Sequence, residues 1–251
     1  MIILKNIDFD MDNLKISLII PAYNEEKYIG MCLEYAIKNA GDKLLEIIVI
    51  NNASSDRTQE IAEKYKDVRV VLEEKKGLTR ARQCGFKEAR GDVLAYIDAD
   101  TQMPSDWFDV LITEFKNNPN LACLSGPYVY YDVPSWQSFF IKFLYWYILA
   151  MPMYWIIGYM AVGGNFAIRK DVLVKMNGFD TTIEFYGEDT DIARRAHEFG
   201  KVKFKPGFLM YTSGRRLAGQ GLFKTGVLYV VNFFSEIFRH KPASGDYKDI
   251  R

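Results

Sequence analysis

The stretch Val93-Leu94-Ala95-Tyr96-Ile97-Asp98-Ala99-Asp100 decides the fold of this chain. Its first five residues are apolar and follow shortly after Gly91, which predicts a buried β-strand. The two carboxylates come two residues apart, where this strand ends. Such an oxygen-rich corner can hold a hard divalent cation that is bound to phosphates, although an acidic pair at a strand end is more often simply solvated.

Strands and helices alternate on both sides of this stretch. Apolar runs at 16–20, 47–50 and 68–72 predict three further strands, and a helical pattern follows each of them, the third at 78–89. This alternation favours an α/β fold with a Rossmann-like, mostly parallel central sheet flanked by helices. Ligands of such sheets gather beyond the carboxyl ends of the strands, where Asn51, Lys76 and Asp98 are expected.

Length, charge and cysteine content agree with a single domain over residues 1–251. The formal net charge is +0, with 32 basic and 32 acidic residues, which argues against a nucleic-acid partner. Cys32, Cys84 and Cys123 lie within apolar patterns and are expected to be reduced core residues. Together with an N-terminus that lacks a signal-peptide pattern, they predict a cytoplasmic protein.

Four motifs together resemble those of family 2 glycosyltransferases, which have the GT-A fold. They are Pro21-Ala22-Tyr23-Asn24-Glu25, Asn51-Asn52-Ala53-Ser54-Ser55-Asp56, Asp98-Ala99-Asp100 and Gly187-Glu188-Asp189, in the family's order over residues 15–215. The resemblance implies a nucleotide-diphosphate sugar donor, a divalent metal and inversion at the anomeric carbon. It divides the domain into a nucleotide-sugar-binding half (15–125), an acceptor and catalytic half (126–215), and a C-terminal helix and tail (216–251).

The resemblance also implies roles for the acidic residues. Asp98 and Asp100 would hold Mn²⁺ or Mg²⁺, with Asp98 and Ala99 also lining the donor site, and the metal would neutralise the leaving diphosphate. Asp189 would take the proton from the acceptor hydroxyl, and Glu188 would orient the acceptor. A helix N-terminus favours the ionised form of Asp189, although acidic residues in a first helical turn are ordinary capping residues. Asp191 is expected to pair with Arg194 or Arg195.

A second set of residues is assigned to the donor. The base is expected to meet Pro21, Ala22, Tyr23, Glu25, Asn51 and Asn52. Many relatives carry aspartate where this chain has asparagine, so UDP is favoured but not fixed. Asn24 either caps the following helix or contacts the ligand.

Basic residues and glycines complete the predicted donor site. Lys76 and Arg80 are chosen for the phosphates because the third helix begins there, and a solvated face is the alternative. Arg82 is not chosen, because residues two apart on a helix diverge. Gly164 and Asn165 follow Gly163, and these glycines would let the backbone approach the sugar or the acceptor, or else form a simple turn.

The segment 136–162 is unusual, because no charged residue occurs between Phe143 and Val162. A single membrane crossing there would separate Asp100 from Asp189, so three other interpretations stay open. The segment contacts the inner face of the plasma membrane next to a polyprenyl-linked acceptor, forms a helical hairpin on the sheet, or meets another subunit.

Two features of the C-terminal part refine the predicted function. Ser213-Gly214-Arg215-Arg216-Leu217 stands where processive relatives carry Gln-x-x-Arg-Trp, which favours one or few sugar additions. Arg215 or Arg216 could still reach the diphosphate. An amphipathic helix is expected after Asn232.

The resulting expectation is a metal-dependent, non-processive transferase for lipid-linked or surface-glycan precursors. The alternatives are a non-catalytic nucleotide-sugar-binding module and a sugar nucleotidyltransferase, although the glycine-rich first loop of the latter is missing.

Overall fold

The structure is a computed structural model that describes residues 13–183 and 187–221 and the short pairs 227–228, 231–232 and 235–236. Its strands are β1 (Ile16–Ala22), β2 (Glu46–Asn51), β3 (Val68–Leu72), β4 (Val93–Ile97), β5 (Thr101–Gln102), β6 (Leu121–Ser125), β7 (Tyr128–Tyr130), β8 (Asn165–Arg169), β9 (Lys201–Phe204) and β10 (Met210–Thr212). Its helices are α1 (Ile29–Ala40), α2 (Thr58–Ala62), α3 (Leu78–Glu88), α4 (Trp107–Asn117), α5 (Ser135–Phe140), α6 (Met151–Ile157), α7 (Lys170–Lys175), α8 (Glu188–His197) and α9 (Arg215–Gln220).

A seven-stranded sheet in the order β3-β2-β1-β4-β8-β6-β9 forms the centre. Only β8 runs antiparallel to its neighbours, so the prediction of a mostly parallel sheet flanked by helices is confirmed. The strands predicted at 68–72 and 93–97 have those bounds. Since β2 and β4 both pair in parallel with β1, Asn51 and Asp98 emerge at the same edge of the sheet, as predicted.

Strand β1 shows how the core holds this sheet. All of its residues are buried, as the apolar run predicts. Alternate side chains point to opposite faces, because strand geometry has a period of two residues. Leu18 belongs to a core cluster that includes Leu33 of α1, whereas Ile19 belongs to a cluster that includes Ala81 of α3 and Ile192 of α8. Helices α3 and α8, which carry the predicted functional residues, therefore cover one face of the sheet.

A small second sheet lies next to the strand ends, in the order β5-β10-β7. Strand β10 pairs antiparallel with β5 and parallel with β7, so Thr212 lies opposite both Thr101 and Tyr130. This sheet brings residues from three distant parts of the chain to the end of β4.

The apolar segment is one helical run, and the prediction of a hairpin was wrong. Helix α5 continues through a π-helical stretch (Ile141–Ala150) into α6, without a turn between Ser135 and Ile157. One side packs on the domain, where the rings of Trp146 and Phe204 stack with centroids 5.7 Å apart. No helix within the described residues is long and apolar enough to cross a membrane.

Three smaller expectations also meet the structure. Asn24 does not cap α1, which begins at Ile29; it takes a left-handed backbone conformation (φ 54°) and accepts a hydrogen bond from the Ser55 amide. The three cysteines are free thiols. The helix predicted after Asn232 lies outside the described residues, apart from one short pair.

Candidate active site

Arg82 of α3 joins carboxylates from two distant parts of the chain. Its guanidinium forms an ion pair with Glu188 at 2.5 Å and lies 4.0 Å from the Asp98 carboxylate. It also donates a hydrogen bond of 2.6 Å to the Gly163 carbonyl. The Arg82 side chain is only 1% exposed, so these contacts are protected from water. The end of β4 and the start of α8 therefore meet at a single buried guanidinium.

The paired glycines make this close approach possible. A Cβ atom at Gly163 would lie 2.6 Å from a Glu188 carboxylate oxygen and 2.8 Å from an Arg82 nitrogen. A Cβ atom at Gly164 would overlap the Asp98 carboxylate and the Tyr128 hydroxyl. These glycines admit side chains of the protein itself, and the expected approach of their backbone to a sugar or acceptor stays a prediction.

Asp98 is fixed but accessible. The Tyr128 hydroxyl donates a 2.8 Å hydrogen bond to Oδ2 of Asp98, and the Asp98 side chain is 38% exposed. Burial, and then the charge of Asp98, raise the pKa of Tyr128 well above its usual range, so that this hydroxyl keeps its proton and donates. Asp98 thus presents a solvent-accessible carboxylate at the end of β4, held in place by Tyr128.

Asp100 is in a different environment. Its Oδ2 lies 3.0 Å from a guanidinium nitrogen of Arg215, and its Oδ1 accepts a 3.3 Å hydrogen bond from the Thr212 hydroxyl. Arg215 also holds Glu25 through two hydrogen bonds of 2.6 and 2.8 Å. Burial raises the pKa of Asp100 to about 7, with Arg215 opposing the shift and the charges of Asp98 and Glu25 adding to it.

Helix α8 begins with the predicted acidic residues. Burial raises the pKa of Glu188 to about 8, opposed by Arg82 and reinforced by Asp189 and Asp98. Burial also raises the pKa of Asp189, again opposed by Arg82. The sequence expected the helix N-terminus to keep Asp189 ionised, and the structure shows that burial acts in the opposite direction. A carboxylate with a raised pKa is a stronger base.

The next turn of α8 anchors it. Asp191 accepts hydrogen bonds of 2.8 Å from both Arg194 and Arg195, which confirms the predicted pairing.

The base corner, which is the part of the site predicted to bind the nucleotide base, is held together mainly by hydrogen bonds within the protein. Asn51 donates to Gln59 and accepts from the Ser54 amide, and the Ala22 carbonyl accepts from the Asn52 amide. The Asn52 side chain binds Glu73, Lys75 and Gly77 and so fixes the loop before α3. Pro21 and Ala22 are buried within β1, and Ala99 is buried directly after β4.

Two further predicted residues lie near this corner, and one lies in the core. Lys76 stands over the Tyr23 ring, 4.4 Å from its centroid, and is exposed. Arg80 is partly exposed near the start of α3, and its role in phosphate binding stays a prediction. Asn165 is fully buried and hydrogen-bonds through its side chain to Trp107, Gly126 and Phe208. Its side chain therefore holds the sheet rather than facing the strand end.

Sequence reasoning missed Arg82 and Tyr128 and placed Arg215 only loosely. The sequence does carry one signal for Arg82, which lies three residues before Gly85 and seven before Ala89, on the buried stripe of α3. Tyr128 carries no such signal, because its position depends on the pairing of β7 with β10.

The oxygen donors at the end of β4 fit a hard divalent cation in part. Asp98 offers an accessible carboxylate, and Asp100 offers a second one that is now engaged by Arg215 and Thr212. Within the described residues, no group of three or more acidic, histidine or cysteine side chains could hold a metal. Mg²⁺ in proteins is commonly held by one or two carboxylates together with phosphates and water, and the two aspartates supply two carboxylates.

Comparison with solved structures identifies the class of fold. A mannosyltransferase from Pyrobaculum calidifontis, solved in complex with GDP-Man and Mn²⁺, matches 93% of this chain and 65% of that chain with a TM-score of 0.66 and 20% identity. Residues 1–349 of S. aureus TarS match 90% of this chain and 73% of that chain with a TM-score of 0.62 and 18% identity. The fold is therefore that of the GT-A glycosyltransferases.

Comparison of sequences then gives the family. The model of glycosyl transferase family 2 matches residues 17–176, and the chain belongs to this family. A probable glycosyltransferase of Bacillus subtilis, YdaM, is 30% identical over 207 residues, which is 76% of this chain and 49% of that protein. A dolichol-phosphate mannosyltransferase of Pyrococcus furiosus is 42% identical over 115 residues, which is 43% of this chain and 32% of that protein. The chain spans about half or less of the length of these two relatives.

Proposed function

We propose that this chain is an inverting glycosyltransferase that moves one sugar from a nucleotide-diphosphate donor to a hydroxyl acceptor. One observation carries the proposal: Arg82 brings the Asp98 carboxylate of the donor half within reach of Glu188 at the start of α8. The Asp98 carboxylate and the acidic start of α8 thus meet at one guanidinium. A transferase needs this arrangement, because the leaving diphosphate and the incoming hydroxyl meet at the same carbon.

The donor side supplies charge stabilisation. Asp98 and Asp100 would hold Mn²⁺ or Mg²⁺, which neutralises negative charge on the leaving diphosphate. UDP remains the favoured nucleotide, and solved structures of this fold with UDP-GlcNAc and with GDP-Man make both nucleotides reasonable probes. Lys76 and Arg80 lie near the same edge of the sheet and are proposed to meet the phosphates.

The acceptor side supplies the base. The acceptor oxygen attacks the anomeric carbon, the bond from that carbon to the diphosphate oxygen breaks, and the hydroxyl proton passes to Asp189. Burial raises the pKa of Asp189, which strengthens it as a base. Glu188, held by Arg82, orients the acceptor. A single displacement of this kind inverts the configuration of the sugar carbon.

The helical run 135–157 is proposed to contact a membrane surface beside a lipid-linked acceptor. Trp155 and Ile156 of α6 are 72% and 79% exposed, and Phe143 and Leu149 are also exposed. Aromatic side chains favour the membrane–water interface. A dolichol-phosphate mannosyltransferase among the relatives supports a polyprenyl-linked acceptor. Pelleting with anionic liposomes should fall in a Trp155→Ser/Ile156→Ser variant but not in Leu72→Ser, which alters an exposed leucine of β3. Equal pelleting of both variants would contradict the membrane contact.

Sugar transfer from labelled UDP- and GDP-sugars to short polyprenyl phosphates and simple glycosides tests the function directly. We expect transfer with Mn²⁺ or Mg²⁺ and none with EDTA. Retained donor binding without transfer or hydrolysis for any sugar would favour a non-catalytic binding module instead. Release of pyrophosphate from a sugar phosphate and a nucleoside triphosphate would favour a nucleotidyltransferase.

A further inference from the structure

One guanidinium nitrogen of Arg215 lies between two carboxylates that belong to different parts of the donor half. It is 2.6 Å from Oε1 of Glu25 and 3.0 Å from Oδ2 of Asp100. Glu25 follows β1 and Asp100 follows β4, so the side chain joins the base corner to the end of the acidic tripeptide. A positive charge therefore already stands beside the second of the two metal-binding aspartates.

This contact competes with a metal ion in two ways. An oxygen that ligates Mg²⁺ or Mn²⁺ has the metal about 2.1 Å away, and a guanidinium 3.0 Å from the same oxygen would repel that cation strongly. The other Asp100 oxygen is engaged by Thr212. Asp100 can therefore bind a metal through its Oδ2 atom only after Arg215 moves away from it.

Arg215 is also placed to move. Its side chain is 22% exposed, whereas Arg82, on the other side of the tripeptide, is buried. It is the first residue of the short helix α9, and its charge also stands over the Tyr28 ring, 4.7 Å from the centroid. The neighbouring ring and Glu25 would still stabilise the guanidinium once it left Asp100.

We infer that Arg215 is a built-in counter-ion of the donor site, which occupies the place of the metal beside Asp100 and must leave it for the metal to bind. The inference rests on the proposed function. It assigns Arg215 a positioning role in the order of loading: the guanidinium keeps Asp100 and Glu25 together in the free protein, and it sets how much metal the protein takes up without donor.

Titration of the protein with Mn²⁺ alone, followed by calorimetry or by the electron paramagnetic resonance signal of free Mn²⁺, tests this. Arg215→Met and Arg215→Gln remove the charge, so both variants are expected to bind Mn²⁺ about tenfold more tightly than the wild type, a factor that corresponds to about 1.4 kcal/mol. Arg57→Met is the matched control, because Arg57 pairs with Glu26 next to the same turn but is exposed. It should leave the Mn²⁺ affinity unchanged.

A purely structural Arg215 predicts the opposite sign. If the Mn²⁺ affinity of both Arg215 variants is equal to that of the wild type or weaker, while their thermal unfolding shows a folded protein, the inference is overturned. Sugar transfer by the wild type is measured in parallel. EDTA-sensitive transfer with unchanged Mn²⁺ affinity in the variants would remove only this inference, whereas absence of transfer from any donor would remove the proposed function.

Discussion

The two carboxylates of one tripeptide have opposite surroundings. Asp98 lies next to Arg82, which is fully buried, pairs with Glu188 and is enclosed by Gly163. Asp100 lies next to Arg215, which is partly exposed at the start of a short helix. Both arginines join an acidic residue after β4 to a carboxylate from elsewhere in the chain, but the Arg82 side chain is 1% exposed and the Arg215 side chain is 22% exposed.

The difference shows how one strand end can serve two purposes. A buried ion pair fixes geometry, since breaking it leaves an uncompensated charge away from water. A pair whose arginine is partly exposed exchanges partners more easily, since water reaches the guanidinium when it leaves a carboxylate. We therefore interpret the Arg82 side as the rigid frame of the site and the Arg215 side as its exchangeable part.

The largest effect is expected from Asp189→Asn, which tests whether the base lies on the rigid side. An amide keeps the shape but cannot take the proton, so kcat for sugar transfer should fall about 10³-fold. Donor affinity, measured by calorimetry with the nucleotide sugar, should stay within twofold. An Asp180→Asn variant is the control, because Asp180 lies before α8 and caps its own turn through Thr182. Transfer at the wild-type rate in Asp189→Asn would assign the base elsewhere.

Substitution of each arginine tests directly whether the Arg82 side of the site is more rigid than the Arg215 side. At pH 9, where Glu188 is ionised, Arg82→Met should lower the free energy of unfolding by about 3–5 kcal/mol, because the buried carboxylate of Glu188 loses its partner. Arg215→Met should cost less, because water reaches its 22% exposed side chain and Asp100, with a pKa raised to about 7, can take up a proton when the guanidinium is gone. Urea denaturation followed by circular dichroism measures both.

A double variant separates lost charge from lost packing. Arg82→Met/Glu188→Met removes the whole ion pair, so much of the stability lost in the single variant should return. If Arg82→Met and Arg215→Met prove equally destabilising, the division into a rigid and an exchangeable side does not hold.

Strands and helices could be predicted well from the sequence, because the patterns that indicate them are local. An apolar run of five residues bounded by glycine and acid predicts β4 without any knowledge of the rest of the chain. The same reasoning placed the start of a helix within residues 187–191, where α8 begins, because acidic residues cluster in first helical turns. Helices and strands that bury one face can be predicted in this way, because their apolar residues recur at a regular spacing.

The contacts within the site could not be predicted, because they depend on side chains that are distant in sequence. Arg82 and Glu188 are 106 positions apart, and nothing near either of them indicates the other. The rule that residues two apart on a helix diverge was sound, but it was used to favour Arg80, and the buried member is Arg82. The helical hairpin, one of the three interpretations of the segment 136–162, failed because an apolar run does not show whether its helix turns back on itself; Pro152 lies in the first turn of α6, where proline is tolerated.

Gly164→Ala tests how rigidly the structure holds the Asp98 carboxylate. The added Cβ would overlap the Asp98 carboxylate and the Tyr128 hydroxyl, so one of them must move. We expect a loss of about 1–3 kcal/mol in the free energy of unfolding, together with weaker Mn²⁺ binding. Gly207→Ala is the matched control, because its Cβ would meet its nearest neighbour only at 3.9 Å. Equal stability of the two variants, measured by urea denaturation, would show that the strand end yields more easily than its geometry indicates.

The smallest expected effect is a difference in pH dependence between the two sides. The pKa of Glu188 is raised from 4.5 to about 8, and that of Asp100 from 3.8 to about 7. A carboxyl with a raised pKa in the folded state keeps a proton that the unfolded chain releases. Its contribution is fully present below the unfolded value and is lost as the pH rises through the folded value. Stability should therefore fall with rising pH, from about 4.5 to 8 for Glu188 and from about 4 to 7 for Asp100.

The interval between pH 7 and 8 weights these two groups differently, because Glu188 still holds most of its proton at pH 7, whereas Asp100 has already released about half of its own. Urea denaturation in EDTA should show that Glu188→Gln has a slope shallower than the wild type by up to about 1.4 kcal/mol per pH unit in this interval. Asp100→Asn should differ from the wild-type slope less than Glu188→Gln in this interval, and most at lower pH. If Glu188→Gln follows the wild type at every pH, the pKa of Glu188 is not raised on folding, and the charge of Arg82 outweighs burial in setting it.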